Sequence, residues 1–315
     1  MTTLRSQFER ALAGRRRAPI GVRPSPVERW VIDGVTVWVK RDDLNTDRLG
    51  GNKARALQFL LGEVPAGANL VTVGGEGSTH VLATATHGAA LGMATTAHRW
   101  RHEMNPVAHR VSAAISARCT AAPIAASPAM ALMGAAWRRA RHGDHWIPFG
   151  GTSPLGMLGH VEAALELADQ VAAGQLPPPA RIYVAHGTGG TAAGLALGLA
   201  LAELPTTVVA VRCGPSFGHE GWWLARLIRR ASQAAGLPAS AGRAAHVAID
   251  HQAYAGAYGR PQPDAAALAA RVHADHGVLL DDTYAAKACY AAARAGTPDG
   301  PPLLFWHTFD ARWMT

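Results

Sequence analysis

Short apolar runs separated by stretches of helical length set the limits on what this chain can fold into. Val35, Val37 and Val39 alternate with Thr36, Trp38 and Lys40, and further apolar runs lie at 69–73, 93–97, 182–185, 208–211, 247–249 and 303–306. Helix-like periodicity fills 52–62, 79–91, 111–117, 129–141, 156–173 and 192–201. Runs that are apolar throughout suit strands buried on both faces, and helical crossovers make neighbouring strands parallel. The pattern predicts an α/β fold with a mostly parallel sheet covered on both sides. Alanine-rich helices at 111–117 and 129–141 suggest a compact subdomain in the first half, while Pro177-Pro178-Pro179 is too short a break for an interdomain linker. With 49% hydrophobic residues among 315, the chain can bury one large core or two modest ones.

Several function classes fit the composition poorly. No apolar run reaches the roughly 18 residues of a membrane span, and the first residues carry no signal-peptide core, so a cytoplasmic enzyme away from membranes is expected. Cys119, Cys213 and Cys289 are odd in number and widely spaced, which suits reduced thiols. The 15 histidines are scattered without a matching acidic or cysteine set, so no metal is expected. The net charge of +8 raises the question of nucleic acid, but the dense arginine runs at 15–17 and 138–141 lack the aromatics that stack on bases. An anionic cofactor and a carboxylate substrate would both benefit from such a field.

Only three lysines occur, at 40, 53 and 287, and Lys53 stands in Gly50-Gly51-Asn52-Lys53 at the start of an amphipathic helix. A lysine amine condenses reversibly with an aldehyde, so a lysine set by a glycine turn suggests a Schiff base to pyridoxal phosphate. Taken alone, the motif reads better as a helix start with an exposed lysine. A second turn, Gly187-Thr188-Gly189-Gly190-Thr191, follows the run 182–185 and opens the helix 192–201. Close backbone approach, free N–H groups and a helix N-terminus make this a phosphate cradle, to which Thr188 and Thr191 add hydroxyls. A dinucleotide fold is the rival, because Gly187-x-Gly189-x-x-Ala192 is a loose fingerprint and Arg212 lies where a 2′-phosphate reader could sit. A third turn, Gly74-Gly75-Glu76-Gly77-Ser78-Thr79-His80, offers N–H groups and hydroxyls to a substrate carboxylate, and Ser78 or Thr79 could equally be a helix N-cap. A fourth, Gly150-Gly151-Thr152-Ser153-Pro154-Leu155-Gly156, could close the pocket or simply join two elements.

Taken in order, Lys40-Arg41-Asp42-Asp43-Leu44, Gly50-Gly51-Asn52-Lys53, the Gly-Gly-x-x-Ser turn, Gly-Gly-Thr-Ser-Pro-Leu-Gly and Gly-Thr-Gly-Gly-Thr resemble the 1-aminocyclopropane-1-carboxylate deaminase/D-cysteine desulfhydrase family of fold-type II pyridoxal-phosphate enzymes, from about residue 24 to 307. The resemblance implies two three-layer α/β/α domains with mostly parallel sheets, a large one from residues 1–58 and 150–315 and a small one from 59–149. It also implies a homodimer. Lys53 would form the internal aldimine and carry the α-proton. Asn52, Thr79, Gly187, Thr188, Gly189, Gly190, Thr191 and Thr308 would join it around the cofactor. Ser78, Thr79, His80, Gly151 and Thr152 would meet the substrate, and Tyr258 and Tyr284 would supply active-site phenols.

The departures bear on the reaction. Thr79 stands where the family carries an asparagine at the cofactor's phenolic oxygen, and Ala285 where it carries glutamate or threonine at the pyridine nitrogen. Thr308 is then the candidate for that nitrogen, with Asp310 as a possible source of charge, and Phe309-Asp310 replaces the usual Gly-Gly. A neutral partner favours elimination at Cβ over a fully delocalised carbanion. The expected reaction is a lyase/deaminase step on a small amino acid, giving a 2-oxo acid and ammonia, with D-cysteine favoured over cyclopropane opening. A β-replacement synthase, a cofactor-binding protein without activity and an NADP-dependent oxidoreductase are the alternatives.

Overall fold

A computed structural model describes residues 3–215 and 220–314, apart from the side chain of Ala121. Two sheets organise the chain. The first contains β1 (Val27–Ile32), β2 (Val35–Arg41), β7 (Arg181–His186), β8 (Thr207–Arg212), β9 (His246–Asp250) and β10 (Leu303–His307), in the order β1-β2-β10-β7-β8-β9. The second contains β3 (Leu70–Gly75), β4 (Thr95–Trp100), β5 (Thr120–Ala121) and β6 (His145–Trp146), in the order β5-β4-β3-β6. All pairs are parallel except β1 with β2. That antiparallel hairpin was not legible in the apolar pattern, because Glu28 and Arg29 interrupt it. Its signal is Asp33-Gly34, both at positive φ, in the two-residue turn.

Each sheet is covered on both faces, as strands apolar on successive residues require. On one face of the larger sheet, Ile182, Val184, Val208, Ala210 and Leu304 pack against α1 (Leu4–Ala13), α6 (Pro154–Ala172), α7 (Gly190–Leu201) and α8 (Gly221–Ala234). Their neighbours Tyr183, Val209, Val211, Leu303 and Phe305 point the other way, onto α9 (Pro263–His276) and α10 (Ala285–Ala295). In the smaller sheet, Leu70 and Ala97 meet α2 (Asn52–Leu60), α3 (Thr79–Ala90) and α4 (Pro106–Ser116), while Val71 and Val73 meet α5 (Pro128–His142) through Ala135. This is the two-sheet, three-layer arrangement of fold-type II.

Strand β4 runs three residues beyond the apolar run at 93–97, to Trp100. The extension is possible because the buried Arg99 guanidinium is met by the hydroxyls of Ser112 and Ser116 on α4. Trp100 thereby reaches the C-terminal edge of the sheet. Open parallel sheets bind ligands outside the carboxyl ends of their strands, and β3, β4 and β7 all end on one cavity.

Candidate active site

Gly51 starts the site. At φ 110 it has no side-chain cap for α2, and a Cβ there would lie 2.1 Å from the carbonyl oxygen of Thr308. Only glycine lets the C-terminal segment pass so close, with the Asn52 N–H donating to that same carbonyl at 3.1 Å. The next residue is Lys53, whose Nζ donates to the Gly150 carbonyl at 2.9 Å. Burial lowers its pKa to about 8, so an amine free to act as base or nucleophile is populated near neutral pH. His80 and His160 are held well below their ordinary value, first by burial and then by the charge of Lys53. Both imidazoles are therefore neutral, and Lys53 is the one cationic side chain among the described residues that line the cavity.

The opposite wall is the turn before α7. Gly189 lies at φ 92 and gives α7 no side-chain cap, leaving the first N–H groups of an apolar helix without an acceptor of that kind. A Cβ on Gly190 would meet Thr152 Oγ1 at 2.6 Å. Thr152 and Thr188 share a hydroxyl–hydroxyl hydrogen bond, and Asn52 Nδ2 donates to Thr191 Oγ1 at 2.8 Å. The start of α2 is thus tied directly to the start of α7. This cradle, free of side-chain bulk and rich in donors, fits a phosphate group, with Lys53 on the facing wall to hold an aldehyde.

Ser78 caps α3, its Oγ accepting from the Val81 N–H at 3.4 Å, and it also lines the cavity with Thr79. His80 lines it too, but its Nε2 is engaged with Thr72 Oγ1 at 3.0 Å. Gly151 stands behind the wall, wedged between Ala56 and the His80 ring, so it presents nothing to a substrate, whereas Thr152 faces the cavity. Tyr258 and Tyr284 line it together, their hydroxyls 2.6 Å apart. Burial pushes Tyr258 up to about 12 and holds Tyr284 well above the ordinary phenol value, so the pair stays protonated. Tyr284 is set by Asp281, which accepts from the backbone N–H groups of Tyr284 and Ala285 at 2.8 and 3.0 Å. Tyr258 lies edge-on to His102, whose Nε2 accepts from Gly77 N and whose Nδ1 is 2.8 Å from the Glu103 carbonyl.

Beside Gly51 and Asn52, Thr308 and Phe309 line the cavity, while Ala285 is buried outside it. Asp310 does not supply a charge there. Its carboxylate accepts from Gly50 N at 3.1 Å and pairs with Arg312, which ties the C-terminal segment beneath the glycine turn. The residues that sequence reasoning missed are aromatic and apolar: Trp100, Trp146, Phe149, Leu132 and Trp223 also form the wall. Phe149, immediately before the Gly150-Gly151 turn, carried the only positional hint.

An open-sheet α/β protein with a lysine facing a helix-capped phosphate cradle defines a class, the enzymes that hold an aldehyde cofactor by imine chemistry. The chain belongs to the pyridoxal-phosphate dependent enzyme family, whose model matches residues 20–308, and within it to the D-cysteine desulfhydrase/1-aminocyclopropane-1-carboxylate deaminase group. It is 39% identical over 303 residues to the nocardicin C-9′ epimerase of Nocardia uniformis subsp. tsuyamanensis, covering 91% of each. It is 33% identical to the D-cysteine desulfhydrase of Salmonella choleraesuis, covering 88% of each. A crystal structure of a 1-aminocyclopropane-1-carboxylate deaminase homologue superposes with a TM-score of 0.79 at 26% identity, covering 97% of this chain and 95% of that one. The dinucleotide alternative falls with the family match, and Arg212 lies over Tyr254 at 4.1 Å with its Nε donating to Gly214 O.

Proposed function

We propose that this chain is a pyridoxal-phosphate-dependent lyase that deaminates an amino acid, expelling a β-substituent and giving a 2-oxo acid and ammonia. The observation that carries the reading is a division of labour on one cavity wall. A lysine amine lowered to about 8 is the base, and a hydrogen-bonded phenol pair held protonated is a separate acid. When bound, the cofactor supplies an electron-withdrawing ring that acidifies the substrate's α-proton.

The chain's own residues do the rest. The N–H groups at the start of α7 and the hydroxyls of Thr188 and Thr191 would hold the phosphate. Asn52 keeps Thr191 and the Lys53 helix in register. Ser78, Thr79 and the first N–H groups of α3 orient the substrate carboxylate beside Lys53. The Lys53 amine takes the proton from Cα, and Tyr258 or Tyr284 delivers one to the departing group. Thr308 would offer a neutral hydroxyl to the ring nitrogen and no carboxylate stands among the described lining residues, which would favour loss of a β-substituent. The same proposal places the enzyme as a homodimer in the cytoplasm, which sedimentation and cell fractionation would check.

A second reading is epimerisation, favoured by the 39% identity with an epimerase across 91% of both chains. One experiment separates them: incubate the holoenzyme in deuterated buffer with D-cysteine, 1-aminocyclopropane-1-carboxylate, O-acetylserine and both enantiomers of alanine. Release of ammonia and 2-oxo acid supports the lyase. Deuterium at Cα with inversion and no ammonia supports the epimerase, and a thioether formed from O-acetylserine plus a thiol points to β-replacement.

A further inference from the structure

We propose that the outer part of the cavity is a specificity chamber for amino-acid substrates bearing an aryl or similarly large apolar group. This inference rests on the preceding reading only for the substrate's amine and carboxylate end. The cavity is about 580 Å³, within the range of pockets that enclose drug-sized ligands. Its polar groups converge at one end, where Asn52, Lys53, Ser78 and the 187–191 turn stand. Beyond them the wall changes character.

Trp100 and Phe149 meet edge to face with ring centroids 5.3 Å apart, and Trp146, Leu132 and Pro128 continue the surface from β6 and the start of α5. Trp223 on α8 also lines the cavity, its indole N–H donating to the Thr188 carbonyl at 3.0 Å. No Asp, Glu or Arg lies among the described residues lining the cavity. The chamber also adjoins the reacting amine. Phe149 is one peptide unit from Gly150, whose carbonyl holds Lys53 Nζ at 2.9 Å. A group attached to Cβ of a substrate at Lys53 would extend toward these rings.

Two of the residues leave apolar surface uncovered at the cavity: Phe149 is 42% and Leu132 45% exposed. A thiol or a methyl group leaves this surface wet, whereas an aryl group covers it. Burying one phenyl ring against such walls corresponds to roughly 10²-fold in binding.

The test uses the holoenzyme and two independent readouts. Calorimetric titration compares 3-phenylpropionate with propionate, which share the carboxylate and need no chemistry. Parallel assays compare kcat/KM for S-benzylcysteine with cysteine, and α-deuterium exchange for phenylalanine with alanine, in both enantiomers. Phenylpropionate should bind about 10²-fold more tightly than propionate, and Phe149→Ala and Trp100→Ala should each shrink that ratio by about tenfold. Equal binding of the two acids, or a ratio unmoved by both substitutions, would overturn the chamber whatever the enzyme turns over. Selective binding without turnover of any amino acid would instead leave the chamber standing and remove the lyase reading.

Discussion

Lys40 and Lys287 are fully buried and Lys53 is half-buried on the cavity wall, and the surroundings of Lys40 and Lys53 differ in kind. Lys40 is 0% exposed, and its amine donates to the Ser25 carbonyl and the Gln170 side chain at 2.6 Å each while pairing with Glu166. Asp42, Arg55 and Glu166 complete a charge cluster around it, with Arg55 Nη2 2.6 Å from Asp42. Lys53 has a backbone carbonyl and no carboxylate. Burial lowers both amines, but Glu166 pulls Lys40 back toward the charged form and nothing does so for Lys53. Of these two, the amine that Glu166 draws back toward its charged form sits in a structural cluster, whereas the one on the cavity wall has no acid partner and is open to chemistry. The two regions are also mechanically joined. Arg55, two residues beyond Lys53 on α2, reaches into the Lys40 cluster, so the charges that anchor the helix leave the Lys53 amine without an acid partner.

The comparison can be broken from either side. Lys53→Ala should lose at least ~10³-fold in turnover and abolish the yellow band of the bound cofactor, with folding intact by circular dichroism. Lys40→Met should do the reverse, costing about 3 kcal/mol in urea denaturation while the cofactor band persists, because Glu166 and Asp42 lose a cation in a buried site. If Lys40→Met lost the cofactor without losing stability, the division between the two lysines would be wrong.

Smaller effects sharpen the same contrast. Tyr284→Phe should reduce turnover about 10²-fold with cofactor retained, since a lone phenol remains to donate the proton. In cofactor-free protein the lowered Lys53 amine makes the unfolded chain bind the proton more tightly, so stability should rise as pH climbs from about 8 toward 10.5. The gain is at most about 2 kcal/mol by about pH 9.5. Lys53→Met should remove that slope, and the difference between the two pH–stability curves checks it. Gly190→Ala should weaken cofactor binding about tenfold in equilibrium dialysis, because its methyl group would push Thr152 from the cradle.

Much of the arrangement was legible because local rules wrote it. The parallel core strands stand out as apolar runs, and each glycine turn marks a place where backbone passes close to backbone, as Gly51 does beneath Thr308. The hairpin partner β1 was harder to see, since an edge strand tolerates Glu28 and Arg29 and leaves no unbroken apolar run. Gly151 read as a substrate contact because it sits in a conspicuous turn, yet packing against Ala56 turns it away from the cavity. Asp310 read as a charge near the ring, but the backbone N–H of Gly50 and the guanidinium of Arg312 claim it first.

By itself the sequence determined the α/β class and marked Lys53 and the 187–191 turn as candidates, because strand burial and glycine turns depend on neighbours along the chain. Only the tertiary structure decided which lysine is paired, that Tyr258 and Tyr284 share a hydrogen bond, and that Trp100, Phe149 and Trp223 face one chamber. Those properties belong to residues far apart in sequence, and distance between side chains has no signature in composition or periodicity.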